Sequence, residues 1–175
     1  MPKGRSEQDQ RYLEAAAEFG PALDRLARGY EADLDLRRDL RQEIHTELWK
    51  SLGRFDGRCS LRTWVYRVAH NTAASHVLKY KAKSKLVGLE EIDAVSADDD
   101  PEREVLERDA RQRLLAMIQA LKPADRQLTL LYLEDLDAAA IAEITGLSSG
   151  AIAVKIHRIK AALAERFQQG GNHGR

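Results

Sequence analysis

The feature that most constrains this chain is an apolar stripe that recurs every four residues in its first third. Its members are Leu36, Leu40, Ile44, Leu48 and Leu52. With polar residues between them, this spacing is typical of one face of an amphipathic α-helix. Gly53 follows as a plausible C-cap. The stripe predicts a helix over residues 33–52 whose apolar face covers a core.

Further helices are predicted on both sides of this stripe, and the alternation typical of strands is absent. Pro21 is expected to separate a helix over residues 7–19 from a second helix that ends near residue 30. Ser60 is expected to cap a helix that continues to about Lys83. The sequence therefore predicts an all-α protein.

Charge divides the chain into basic, acidic and basic stretches, although the net charge is zero. Residues 50–85 contain nine Lys or Arg and one acid, and residues 86–112 contain ten acids and three Arg. An acidic, polar stretch of this kind is typical of a linker. We therefore predict two small helical domains over residues 1–83 and 102–168, an acidic linker over residues 84–101, and a disordered tail over residues 169–175.

Several functional classes are disfavoured by what the sequence contains. Cys59 is the single cysteine, so neither an internal disulfide nor a cysteine-rich zinc site is expected. No stretch has the roughly 20 apolar residues that a membrane span needs. We expect a cytoplasmic protein without membrane insertion, without a metal or cofactor, and without an enzymatic activity of its own.

The C-terminal segment AAAIAEITGLSSGAIAVKIHRI has the spacing of a helix-turn-helix. Ala142 is small enough for the point where the two helices cross, and Gly146 tolerates the positive φ of the turn. Three apolar residues are expected to lock the pair: Ile141, Leu147 and Ile152. The second helix would enter the major groove of DNA, with these residues facing it: Ser148, Ser149, Ala151, Lys155, His157 and Arg158. The alternative is a helical hairpin that does not contact DNA.

The helix predicted from Ser60 mixes cations with aromatic rings, a combination that holds single-stranded nucleic acid. The residues in question are Arg62, Trp64, Tyr66, Arg67, His70, Asn71, Lys79, Tyr80 and Lys81. An alternative interpretation stays open, in which Trp64 belongs to the core and the cations form a solvated face. The polar face of helix 33–52 is likewise either a partner site or simply solvated.

Three segments together resemble the extracytoplasmic-function (ECF) sigma factors of bacterial RNA polymerase. The first, DLRQEIHTELWKSLGRFD, is similar to the family segment DLVQEVFLRAW-x-x-L-x-RFD. The second, CSLRTWVYRVAHN, is similar to GSFRAWLYRIARN, and the helix-turn-helix segment follows in the expected order. The resemblance covers roughly residues 18–167.

The resemblance implies a role for each segment. The first would dock on the coiled coil of the polymerase β′ subunit through Asp39, Gln42, Glu43 and Trp49. The second would recognise and melt the −10 promoter element, with Asp56 and Arg58 in the wall of a pocket for a flipped base. The C-terminal domain would read the −35 element and dock on the β flap. An anti-sigma protein is a further possible partner.

Some positions depart from the family pattern. Ser75 and Leu78 replace frequent Asp and Arg residues in the −10 helix, and Ala151, Ala153 and Val154 replace a commoner Thr-Val-Lys-Ser run. Two alternative functions therefore stay open. One is an ordinary helix-turn-helix regulator, and the other is a degenerate sigma-like protein that binds polymerase or an anti-sigma protein without initiating transcription.

Overall fold

The structure is a computed structural model that describes residues 6–87 and 102–171, with the backbone alone at residues 82–87, 102–106 and 170–171. Within those ranges every regular element is an α-helix, which confirms the all-α prediction. The helices are α1 (Glu7–Tyr30), α2 (Leu34–Leu52), α3 (Leu61–Val87), α4 (Glu102–Gln119), α5 (Pro123–Leu133), α6 (Ala138–Thr145) and α7 (Ser149–Gly171). Most of the predicted acidic linker, residues 88–101, and the end of the predicted tail, residues 172–175, lie outside the described residues.

Helices α1, α2 and α3 pack together, and we call them the N-terminal module. Four of the five residues of the predicted stripe lie at its centre, because Leu40, Ile44, Leu48 and Leu52 are at most 1% exposed. The fifth, Leu36, is only half-buried. Helix α2 begins where expected, since the Asp33 carboxylate accepts hydrogen bonds from the first backbone N–H groups of the helix. Gly53 is its C-cap, although in a right-handed conformation.

Helix α1 differs from the prediction, because the two expected helices are one continuous helix with Pro21 inside it. A proline at such a position lacks the N–H of one helical hydrogen bond. The buried face nevertheless runs through it, from Phe19 on one side to Ala22 and Leu23 on the other. Packing of that face against the other two helices holds the chain helical across the proline.

Helices α4 to α7 form what we call the C-terminal module. Helices α6 and α7 meet at an angle of 103°, within the range of about 90–120° that a helix-turn-helix shows. Gly146 has φ 77° at the turn, as predicted. Ile141 and Ile152 are buried, whereas Leu147, predicted to join them, is 38% exposed. Leu147 lies in the turn itself, between the end of α6 and the start of α7.

Two helix ends differ from their predicted positions. Ser60 caps α3 through its side chain, as expected, by accepting a hydrogen bond from the backbone of Thr63. Helix α3 then continues to Val87, into the first residues of the predicted linker. Helix α7 continues to Gly171, past the start of the predicted tail. The change from apolar to polar residues along the sequence indicates where a helix leaves the core. The helix itself can continue beyond that point through its local backbone hydrogen bonds.

In the described residues, no single helix has both the length and the apolar composition to cross a membrane. The bent pair of α6 and α7 passes that test jointly, on length and composition alone.

Candidate nucleic-acid interface

A groove of 660 Å³ runs between α2 and α3. It brings together residues that the sequence assigned to two different roles. Asp39, Gln42 and Glu43 from the predicted docking face line one wall, and Asn71 and Lys79 from the predicted DNA-binding helix line the other. The other lining residues are Thr46, Glu47, Thr72 and Ser75.

A buried histidine lies under this groove. The side chain of His76 is 0% exposed, and its Nδ1 lies 3.2 Å from the Glu43 carboxylate. Its Nε2 lies 3.7 Å from the carboxylate of Glu31. Glu43 at the groove wall is therefore linked to the core through His76.

Trp49, the fourth residue predicted for docking, does not line the groove. Its indole N–H donates to the Asp9 carboxylate over 2.8 Å, and 41% of the residue is exposed. The side chain of Gln8 donates to the Trp49 carbonyl over 2.7 Å. The start of α1 therefore fixes the end of α2, and Trp49 presents a separate aromatic surface beside it.

The turn between α2 and α3 forms one side of a second cavity, of 430 Å³. Gly57 has φ 76°, and the backbone N–H of Arg58 donates to Asp56 over 3.1 Å, so the turn has a defined conformation. The lining residues are Arg11, Glu14, Phe55, Asp56, Gly57 and Leu61. Arg11 donates to the Phe55 carbonyl over 3.1 Å. Sequence reasoning missed Arg11 and Glu14, because only folding brings α1 to this turn.

The aromatic residues of α3 are less available than predicted. Trp64 is half-buried and donates its indole N–H to the Ser51 hydroxyl over 3.1 Å. Tyr66, predicted to face DNA, is only 5% exposed and packs edge-on against Phe19. Burial raises the pKa of Tyr66 to about 12. Tyr66 is buried because it lies on the inward face of the helix, together with Val65, Ala69 and Ala73.

The remaining predicted residues of α3 differ in what they contact. Arg62 and Asn71 are exposed. Arg67 is also exposed, but its guanidinium donates to the backbone carbonyl of Glu143 in the C-terminal module. The cations of α3 are therefore not equally free to meet a ligand.

On the helix-turn-helix, most of the predicted DNA-facing residues are exposed. They are Ser148, Ser149, Lys155, His157 and Arg158. Ser148 also caps α7, because its hydroxyl accepts from the Ala151 backbone N–H over 3.2 Å. Ala151 is half-buried, and Val154 is 52% exposed. This face combines a positive end with apolar side chains that can contact thymine methyl groups.

A third cavity, of 260 Å³, opens between α4, α5 and α7 and is almost wholly apolar. Its lining residues are Leu114, Ile118, Thr129, Tyr132, Leu133, Ile156, Ile159, Lys160 and Leu163. Leu114 and Leu133 are 37% and 52% exposed. The exposed leucines and the concavity together form one apolar surface.

Tyr30 and His70 are both buried in the N-terminal module and pair with each other. The Tyr30 hydroxyl lies 2.9 Å from Nδ1 of His70. Burial lowers the pKa of His70 to about 3, so the ring is neutral at pH 7. In the part of the chain that the structure describes, no cluster of His, Cys, Asp or Glu has the composition of a metal site.

Comparisons with known proteins match both modules separately. The family model for sigma-70 region 2 matches residues 16–83, and the model for sigma-70 region 4 matches residues 111–163. The chain is 27% identical over 143 residues to the ECF RNA polymerase sigma-E factor of Escherichia coli (strain K12), an alignment that covers 74% of this chain and 73% of that protein. It is 28% identical over 146 residues to the RNA polymerase sigma-H factor of Pseudomonas aeruginosa, covering 78% and 75%.

The fold is also similar to a solved structure, that of CnrH in complex with the cytosolic domain of CnrY. The TM-score is 0.63 at 19% sequence identity, and the match covers 90% of this chain and 88% of the matched chain. At this identity the likeness concerns the fold alone, and it extends over both modules.

Proposed function

This chain belongs to the sigma-70 family, within the ECF sigma factors, and we propose that it binds core RNA polymerase and directs promoter-specific transcription initiation. Two family models that together match more than half of the chain, in the order region 2 then region 4, support the assignment. Sigma factors are initiation factors rather than enzymes. Since it acts on polymerase, we place the protein in the cytoplasm.

The observation that carries this proposal is the groove between α2 and α3. Its acidic wall, Asp39 and Glu43 with Gln42, is suited to a basic or polar helical partner such as the β′ coiled coil. Its other wall carries Asn71 and Lys79, which suit a polynucleotide. A protein partner and DNA would therefore meet along one edge, as a factor that opens DNA on polymerase requires.

For the −10 element we propose that Arg62, Asn71 and Lys79 contact the single strand, with Trp64 supplying a partly exposed ring. The cavity beside the turn is the candidate pocket for an unstacked base. Asp56 and Glu14 offer carboxylate acceptors there, and Phe55 offers an aromatic face. A flipped base costs a few kcal/mol of stacking, which contacts in such a pocket offset.

For the −35 element we propose that α7 enters the major groove with Ser149, Lys155 and Arg158 at the DNA. The apolar cavity lined by Leu114 and Leu133 is the candidate site for the β flap. An apolar contact with polymerase would supply affinity that the few hydrogen-bonding groups of α7 do not.

An anti-sigma partner is part of the proposal as well. The solved structure with a similar fold is a complex of CnrH with the cytosolic domain of CnrY. We propose that this chain is likewise bound by a regulatory protein, which would cover the apolar cavity when polymerase is absent. Competition between that protein and core polymerase would then set activity.

The test is run-off transcription with core RNA polymerase that lacks any sigma factor, on fragmented genomic DNA from the source organism. Discrete start sites that share paired upstream elements are the expected result. Binding to core without specific transcripts would instead support the degenerate sigma-like protein. Absence of core binding, together with duplex DNA binding by the free chain, would support an ordinary regulator.

A further inference from the structure

The groove between α2 and α3 has a buried imidazole behind its acidic wall. We propose that His76 is a positioning residue for docking: it holds the Glu43 carboxylate at the groove wall, and core RNA polymerase binds the carboxylate in that position. This inference rests on the proposed function, since it takes the acidic wall as the docking face. His76 is not among the residues that line the groove, so it acts through Glu43 and does not touch polymerase.

The first support is the set of contacts that surround His76 on α3. Its side chain is 0% exposed, and its Nδ1 lies within hydrogen-bonding distance of the Glu43 carboxylate, at 3.2 Å. At the other edge of the ring, Nε2 lies 3.7 Å from the Glu31 carboxylate and makes no hydrogen bond within the described residues. The ring of Tyr80 packs on the imidazole, with the centroids 4.5 Å apart. His76 is therefore confined between two acids and an aromatic ring.

The second support is that the farther acid, Glu31, is itself held in place. Glu31 is the C-cap of α1, and one of its carboxylate oxygens accepts a hydrogen bond from the backbone N–H of Asp33 over 3.0 Å. The guanidinium of Arg37 donates to the backbone carbonyl of Glu31 over 2.9 Å. The corner between α1 and α2 therefore places a held carboxylate at the edge of the imidazole away from Glu43.

The distances to the two carboxylates favour a proton on Nδ1 of His76. A neutral imidazole has one N–H donor and one bare nitrogen, whereas both nitrogens donate in the protonated ring. Nδ1 is the nitrogen closer to a carboxylate, so a bare Nδ1 would face the lone pairs of Glu43 without a proton between them. With the proton there, His76 donates to Glu43. The carboxylate of Glu43 keeps further lone pairs for a partner in the groove.

Glu43 differs in this respect from Glu47, the next acid along the same wall. Glu47 pairs with Lys50 of its own helix over 2.8 Å, and both side chains are exposed. A surface pair of that kind holds its members only weakly. A glutamate loses rotamer freedom when a partner binds it, and a glutamate already held from inside the module loses less. The His76 contact therefore adds to docking affinity without adding a contact to polymerase.

The first experiment measures binding of the full chain, labelled at its C-terminus, to core RNA polymerase by fluorescence anisotropy. His76→Leu removes both ring nitrogens and should weaken binding by about threefold to tenfold. His76→Asn keeps an amide nitrogen at the position of Nδ1 and should bind within about twofold of the original chain. The matched control is His45→Leu, because His45 of α2 is bonded to Tyr12 outside the groove, and it should leave binding unchanged.

Urea unfolding separates positioning from a loss of structure. Leucine fills a buried site without unpaired polar atoms, whereas asparagine is smaller and polar, so His76→Leu should be at least as stable as His76→Asn. Binding and stability should therefore rank the two variants in opposite orders. If binding instead follows stability, or if His76→Leu binds core as well as the original chain does, His76 is an ordinary core residue and the inference is overturned.

A double-variant cycle tests whether His76 acts through Glu43. His76→Leu with Glu43→Ala should bind core no more weakly than Glu43→Ala alone, because the carboxylate that His76 holds is already gone. His76→Leu with Asp39→Ala should multiply the two single losses, since Asp39 lines the groove one turn away from Glu43. Multiplied losses in both cycles would overturn the inference. If Glu43→Ala and Asp39→Ala both leave core binding unchanged, the docking face is wrong and the proposed function fails instead.

A third measurement needs no polymerase. NMR spectra of the free full chain, with isotope-labelled histidine, should show a proton on His76 Nδ1 that exchanges slowly with water. Its resonance should shift upfield in Glu43→Ala. A bare Nδ1, or a resonance that ignores Glu43→Ala, would reject the positioning contact even where core binds normally. A protected proton that responds, in a chain that does not bind core, would place the failure in the proposed function.

Discussion

The two modules differ in what lies beside their cores. In the N-terminal module polar groups enter the core with partners, as His70 does with Tyr30 and His76 with Glu43. The C-terminal module has a small core beside an open, almost wholly apolar cavity. A buried polar network fixes side-chain positions, whereas an open apolar cavity leaves surface to be covered. The first module is therefore built to position polar contacts, and the second to be completed by a partner.

The largest expected effect is on stability, and it should differ between a leucine of the closed core and a leucine of the open cavity. Leu48→Ala should lower the free energy of unfolding by about 2–5 kcal/mol, because Leu48 is 1% exposed. Leu133→Ala should cost roughly 0.5 kcal/mol, because 52% of that residue is exposed, yet it should weaken core-polymerase binding. Urea denaturation and a core-binding assay measure the two quantities. Equal losses of stability would show that the cavity is ordinary core.

A second effect tests the buried polar network through pH. The folded-state pKa of His70 is about 3, against an ordinary value of 6.5. The unfolded chain therefore takes up the proton first as pH falls, so stability is greatest above pH 6.5 and declines from there toward pH 3. The slope contributed by one such group approaches about 1.4 kcal/mol per pH unit.

His70→Gln should flatten this decline, measured by urea denaturation at pH 7.5, 6 and 5. His157→Gln, an exposed histidine of α7, is the matched control and should keep the original slope. An unchanged slope in His70→Gln would mean that another group is responsible. His45 is the next candidate, since burial lowers its pKa as well.

The sequence predicted those parts of the structure that depend on local pattern. The stripe from Leu40 to Leu52, the Ser60 cap and the Gly146 turn are all confirmed, because spacing and backbone preference determine them. The two matched regions also follow in the predicted order. Pro21 was misjudged, since tertiary packing outweighed a local helix-breaking preference.

Features that depend on contacts between distant segments could not be predicted from the sequence. Arg11 lines the cavity at the turn only because folding brings α1 beside the Phe55 carbonyl, which is 44 positions away in the sequence. Glu143 and Arg67 meet across 76 positions, and neither carries a periodic signal for the other. Tyr66 has the aromatic side chain expected of a DNA-binding residue, but it lies on the face of α3 that packs into the core. The residue type suggested a role in binding DNA, whereas the helical periodicity determines that the side chain is buried.

An effect of intermediate size is expected on core-polymerase binding, where two acidic residues of the same helix can be compared. Asp39→Ala should weaken core-polymerase binding by about tenfold, since a charge-assisted contact contributes roughly 1.5 kcal/mol. Asp35→Ala makes the same charge change on α2 but outside the groove, and should have little effect. Fluorescence anisotropy with labelled chain measures both. Equal weakening by the two variants would point to general charge attraction rather than a docking site in the groove.

The smallest expected effect concerns α7, where affinity should come mostly from backbone contacts. Lys155→Ala should weaken promoter binding by the polymerase complex only a few-fold, and similarly on different −35 sequences. Because one phosphate contact releases about one counterion, the slope of log K against log salt should fall in magnitude by about 0.9. Arg166→Ala, an exposed cation further along the same helix, should leave that slope unchanged. A loss confined to one −35 sequence would instead make Lys155 a base-reading residue, and the C-terminal module would then discriminate sequence by itself.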